Sequence, residues 1–103
     1  MSEARSTAAW IFLAVHYACS KTGAGLRDIE AAADGIDHAI PTQEELRSSF
    51  KLLLDREFLT KHGKRYFLTT EGQNLITEAQ DQSKTVMGVW SFLSARLPDQ
   101  SAV

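Results

Sequence analysis

TQEELRSSFKLLLDREFLTKHGKRYFLTTEGQNLI, residues 42–76, holds three structural signals in succession. Thr42-Gln43-Glu44-Glu45 reads as a capping box, with Thr42 as the cap and the Glu45 side chain reaching back to its amide. Behind it Leu46, Phe50, Leu53 and Leu54 fall at i, i+4, i+7 and i+8, so a helix with one apolar face is expected to end near Arg56. Phe58-Leu59-Thr60 and Arg65-Tyr66-Phe67-Leu68-Thr69 are two short β-type runs around Lys61-His62-Gly63-Lys64, a hairpin with a Gly-containing turn. Thr70-Glu71-Gly72-Gln73 repeats the capping-box pattern and predicts a further helix with Leu75, Ile76 and Ala79 inward.

Outward from this stretch the chain is helical on both sides. Residues 7–20 form an expected first helix, capped by Ser6 or Thr7, in which Trp10, Leu13, Ala14 and Tyr17 line one stripe and Ile11, Val15 and Ala18 the next. Residues 21–25 (KTGAG) read as a turn. A second helix is expected over residues 26–33, with Leu26, Ile29 and Ala33 at helical spacing, Gly35 as its stop and Pro41 leading into the next helix. Residues 81–84 (DQSK) should break the helix after the hairpin. A last helix over about residues 84–97 presents Val86, Val89, Trp90, Leu93 and Leu97, with Pro98 ending it.

The order helix, helix, helix, hairpin, helix, helix resembles the winged helix-turn-helix fold of bacterial MarR- and PadR-type transcriptional regulators. Residues 44–76 carry the resemblance, above all Tyr66-Phe67-Leu68-Thr69-Thr70-Glu71-Gly72, which is similar to the Y-x-L-T-x-E-G that ends the wing in those families. Glu57 stands where they place a helix-closing glycine, and the loop from Gly35 to Pro41 is longer than an ordinary helix-turn-helix turn. The expectation is one mainly α (α+β) domain over residues 1–103, with a two-stranded β-hairpin wing over the middle and extra N- and C-terminal helices.

The resemblance implies double-stranded DNA as partner, with the third helix in the major groove and the wing on a neighbouring backbone. Thr42, Gln43, Arg47, Ser48 and Lys51 are then the candidate contacts on the helix, and Lys61, His62, Lys64 and Arg65 those on the wing. Arginine suits guanine, glutamine suits adenine, and the others suit phosphates. Residues 42–67 hold six basic side chains against four acidic ones, whereas the whole chain has 11 Lys and Arg against 13 Asp and Glu and a formal net charge of −2. Positive charge is thus concentrated in the segment that would meet DNA. Alternatively Glu44, Arg47, Lys51 and Asp55 pair along a solvated helix face, and the module binds a protein instead.

Catalysis and metal binding find little support. His16, His38 and His62 lack metal-ligand spacing, and His16 with Cys19 offers only two ligands. Gly23-Ala24-Gly25 follows a helix rather than a strand and is no phosphate loop. No enzyme, metal or cofactor is expected. One cysteine excludes an internal disulfide framework and fits a cytoplasmic setting. The apolar run over residues 8–19 is shorter than the about 20 residues a bilayer span needs, and its flanks do not make a secretory signal, so no membrane is expected. Terminal helices commonly build the dimer in regulators of the resembling type. A homodimer through Trp10, Val86, Val89, Trp90, Leu93 and Leu97 is therefore expected, anchored by Trp90.

Overall fold

Residues 8–15 are all buried, on every side of the first helix, and this sets the architecture. The computed structural model describes residues 3–97, so the expected stop at Pro98 lies outside the described residues. The elements are α1 (Glu3–Ala18), α2 (Leu26–Asp37), α3 (Gln43–Asp55), β1 (Leu59–His62), β2 (Arg65–Leu68), α4 (Thr70–Gln82) and α5 (Val86–Arg96). The result is a winged-helix-like α+β layout. A helix that is apolar all round must be enclosed, and α2, α3 and α5 pack on three sides of α1. The link between α2 and α3 thus runs mainly through α1.

Two indoles fix that arrangement. Trp10 donates its ring N–H to the Ala33 carbonyl on α2 at 2.9 Å, and Trp90 on α5 donates to the Ser6 carbonyl on α1 at 2.8 Å. The rings stack, with centroids 6.2 Å apart. Each ring thereby buries its apolar body while its one polar atom keeps a partner.

This packing corrects part of the expected dimer surface. Trp10, Val89, Leu93 and Leu97 are buried within the chain and Trp90 is half-buried, while Val86 alone of the six stays exposed. Both stripes of α1 are covered from inside the molecule except at Tyr17, which stays exposed.

Element ends also depart from expectation. Helix α1 starts at Glu3, with Ser6 and Thr7 inside it, and ends at Ala18 rather than residue 20. Glu, Ala and Arg are good helix formers, so nothing in residues 3–5 stops the helix from extending. Helix α2 continues through Gly35 to Asp37, adding Ile36 to its apolar face, and closes where His38 takes a left-handed φ of 55° and donates its N–H to the Asp34 carbonyl. The expected turn at residues 21–25 does more than reverse the chain. Ala24 and Tyr66 exchange backbone hydrogen bonds of 2.8 and 2.9 Å, which adds a one-residue third strand beside β2. Gly23, at φ 85°, is required there, since a Cβ would press on the Phe67 ring and the Tyr66 carbonyl.

Helix α3 carries the expected box: Thr42 Oγ1 accepts from the Glu45 amide at 3.0 Å, and Glu45 Oε1 accepts from the Thr42 amide at 2.9 Å. Leu46, Phe50 and Leu53 are buried and Leu54 half-buried. The chain leaves α3 without a glycine because Glu57 itself adopts the left-handed conformation, φ 63°. That costs a non-glycine residue roughly 1–2 kcal/mol. Thr69 compensates on both sides of the turn, its hydroxyl donating to the Glu57 carbonyl at 2.6 Å and its N–H to the Phe58 carbonyl at 3.1 Å. The strands pair from Leu59 opposite Leu68 to His62 opposite Arg65, leaving Gly63 and Lys64 as a two-residue turn with φ 63° at the glycine.

The same Thr69 caps α4, accepting from the Gly72 amide at 2.9 Å, so the cap lies one residue before the expected Thr70 and there is no reciprocal box. The third helical position is Gly72, which has no side chain to reach back. It cannot be larger, because a Cβ there would collide with the Phe58 carbonyl oxygen. Thr85 caps α5, so that helix starts at Val86 rather than residue 84.

Two glycines inside helices should therefore answer oppositely to alanine. Gly35→Ala meets open space and is expected to stabilise by roughly 0.5–1 kcal/mol, the usual helix preference for alanine. Gly72→Ala is expected to destabilise by roughly 1–3 kcal/mol through the forced contact with Phe58. Denaturant unfolding of both variants checks the pair.

Candidate nucleic-acid interface

Helix α3 and the hairpin are joined by one aromatic contact. Phe50, on the inner face of α3, stacks on Tyr66 of β2 with centroids 4.1 Å apart and planes 10° from parallel. Lys61, opposite Tyr66 in the ladder, holds its ammonium 5.5 Å from the same ring. Arg47 lies three residues before Phe50, one helical turn away. The outward side chains of α3 and the root of the hairpin are thus held in a fixed relation.

The five candidates on α3 divide by what already engages them. The Thr42 hydroxyl caps the helix. Ser48 donates its hydroxyl back to the Glu44 carbonyl at 3.0 Å. Lys51 pairs with Asp55 at 3.1 Å, both side chains well exposed, which realises half of the ion pairing the sequence suggests for this face. Gln43 and Arg47 are exposed with no hydrogen bond or ion pair among the described residues. Glu44 is exposed beside them, whereas Glu45 is held by its cap.

On the hairpin Lys61, His62 and Lys64 are exposed around the turn. His62 packs edge-on against Phe67, centroids 5.4 Å apart, and Lys64 is unpaired among the described residues. Arg65 is exposed as well, but its guanidinium is engaged. Its Nε donates to the Thr22 carbonyl at 2.7 Å, its Nη2 to the Gly23 carbonyl at 3.2 Å, and the same nitrogen lies 3.8 Å from Asp28. The guanidinium therefore clamps the link between α1 and α2 to the hairpin, next to the bridge between Ala24 and Tyr66. Its three partners are far away in sequence, a tie that the run Lys-His-Gly-Lys-Arg does not signal. Thr22 and Asp28 have no local signature that marks them as its partners.

Among the described residues no group of three or more His, Cys, Asp and Glu side chains could hold a metal. Cys19 is half-buried, its thiol 3.6 Å from the Ser20 carbonyl. No helix of the described residues is long and apolar enough to cross a membrane. His16 is half-buried at the end of α1, 3.4 Å from the Gln80 amide nitrogen of α4 and beside the Tyr17 ring. Burial lowers its pKa below the ordinary 6.5, because the low-dielectric surroundings disfavour the imidazolium.

The unfolded chain takes up the His16 proton near pH 6.5 and the folded chain only below that value. Between the two the unfolded state binds more protons, so stability falls as pH drops through this window. Replacing His16 with Gln should flatten that part of the profile of melting temperature against pH. Arg65→Met keeps the apolar stem and removes the clamp. It is expected to cost roughly 1–3 kcal/mol in denaturant unfolding, the scale of losing charged hydrogen bonds.

Compared with known proteins, the chain matches no family model, no curated protein and no solved structure.

Proposed function

We propose that the chain is a small DNA-binding protein, a cytoplasmic transcriptional regulator without catalytic activity, that meets double-stranded DNA through the outward face of α3 and the hairpin. The observation that supports this reading is a set of cations with no ion pair among the described residues, Arg47 on α3 and Lys61 and Lys64 on the hairpin, with the Lys61 ammonium 5.5 Å from the Tyr66 ring that stacks on Phe50. Cations left unpaired in this way are available to phosphates. In this reading Lys61 and Lys64 take the backbone, His62 lies beside them, and Arg47 reads a guanine edge with two parallel hydrogen bonds. Gln43 suits an adjacent adenine, and Glu44 suits the amino group of cytosine, where its negative charge stays clear of phosphate. Lys51 joins a phosphate only by leaving Asp55, so its contribution is smaller.

A second reading, a protein-interaction module, draws on Ile40. This residue is 70% exposed immediately before Pro41 and α3, where an apolar side chain would serve a protein partner well. Salt separates the two. Binding to mixed-sequence duplex, followed by fluorescence anisotropy, should weaken steeply between low and moderate salt. Lys61→Ala with Lys64→Ala should weaken all duplexes alike and reduce the log–log salt slope by about 2, near 0.9 for each phosphate left without its lysine. Arg47→Ala should cost about 1–3 kcal/mol on a selected site and relax its sequence preference. Absence of duplex binding at every salt concentration overturns the DNA reading and leaves the protein-interaction module.

A further inference from the structure

Side chains alternate along a strand, so the hairpin has two faces. The register puts Thr60 with Phe67 and His62 with Arg65 on one face, and Leu59 with Leu68 and Lys61 with Tyr66 on the other. The first face leans on the link between α1 and α2, where Arg65 holds the Thr22 and Gly23 carbonyls and Gly23 lies against the Phe67 ring. The second turns to α3, where Tyr66 stacks on Phe50. Tyr66 is only 9% exposed, and a buried tyrosine normally finds its hydroxyl a partner. This hydroxyl has no hydrogen bond among the described residues. Nor is it sealed off, because the one enclosed side-chain nitrogen or oxygen without a partner among those residues is Arg5 Nε. The ring is thus fixed in the seam between α3 and the hairpin, with its polar tip open to solvent and unengaged.

We propose that the Tyr66 hydroxyl and the Lys61 ammonium together hold one backbone phosphate of the duplex in this seam. The inference rests on the DNA reading and adds to it a neutral donor that lies outside the basic turn. Charge selects the acceptor. The Lys61 ammonium has no ion pair among the described residues, so the group that joins the hydroxyl beside it is an anion. At 5.5 Å from the ring centroid, the ammonium is within the span of one phosphate group from the hydroxyl at the ring's edge. Two oxygens of the same group can then accept from both. Rigidity helps as well, since the Phe50 stack holds the ring in place before any ligand arrives and little side-chain freedom is lost on binding. Such a phosphate lies between the groove that α3 enters and the backbone that the turn touches, and it sets the register of one element against the other.

Tyr66→Phe removes the hydroxyl and keeps the ring with its stack. The hydroxyl has no partner in the free protein, so the variant should match the wild type in circular dichroism and melting temperature. Its affinity for duplex, read by fluorescence anisotropy, should fall about tenfold for every sequence alike. The log–log salt slope should not change, because a neutral donor releases no counterion, whereas Lys61→Ala lowers it by about 0.9. The two substitutions together should cost less than the product of their separate losses, since both act on one phosphate. Wild-type binding that Tyr66→Phe leaves intact overturns this contact and spares the DNA reading. A loss confined to one selected sequence makes the hydroxyl a base contact, and losses that simply multiply put the two groups on separate phosphates; either result overturns it too. Absence of wild-type binding at every salt concentration removes the DNA reading and this contact with it.

Discussion

Everything in this molecule is organised around the demand of one helix to be kept from water on all sides. Residues 8–15 of α1 include Trp10, Ile11, Phe12, Leu13 and Val15, and none is exposed. Each large apolar side chain removed from water contributes roughly 1.5–3 kcal/mol, and a single neighbouring helix could cover only one stripe. Three helices are needed, so α2, α3 and α5 are held together by the element they enclose more than by one another. The same demand explains why the apolar stripe of α5 faces inward. Val89 and Leu93 complete the cover of α1, and the large apolar side chains of α5 left exposed are Val86 and Met87 of its first turn.

The hairpin depends on a second, polar set of contacts. Thr69 serves three partners at once, the carbonyls of Glu57 and Phe58 and the amide of Gly72, and so ties the exit of α3 to the entry of α4. Arg65 and the bridge between Ala24 and Tyr66 tie the other edge of the hairpin to the link between α1 and α2. A two-stranded hairpin alone is marginal in water. Anchored at its base and along its β2 edge, and stacked on Phe50, it presents Lys61 and Lys64 from a firm base.

What is legible in the sequence is local. The capping box at Thr42, the inner face of α3 and the pairing of two β-type runs each depend on residues a few positions apart, and all three are present. The misplaced features depend on distant neighbours. Gly35 reads as a helix stop, yet α2 gains more by carrying Ile36 onto the core, and His38 makes the left-handed turn instead. Thr70 reads as the cap of α4, but Thr69 can also reach the Glu57 carbonyl, and Gly72 must lie against Phe58. Arg65 reads as one more surface cation in a basic turn, and the two carbonyls that hold it lie 43 and 42 residues away. The stripe through Trp90 reads as apolar, correctly. Periodicity alone does not say whether the same chain or another covers it.

The stacked pair of Trp10 and Trp90 has a spectroscopic meaning. These are the only two tryptophans in the chain, and both sit at the joint of α1 with α5, close enough for their excited states to couple. Intrinsic fluorescence and near-ultraviolet dichroism of this protein therefore report on one seam. They register α5 lifting from α1, while the far side of the domain, where α3 carries the hairpin, holds no tryptophan. The protein comes with a built-in optical probe of its terminal helices, placed where it leaves the basic hairpin free for an added dye.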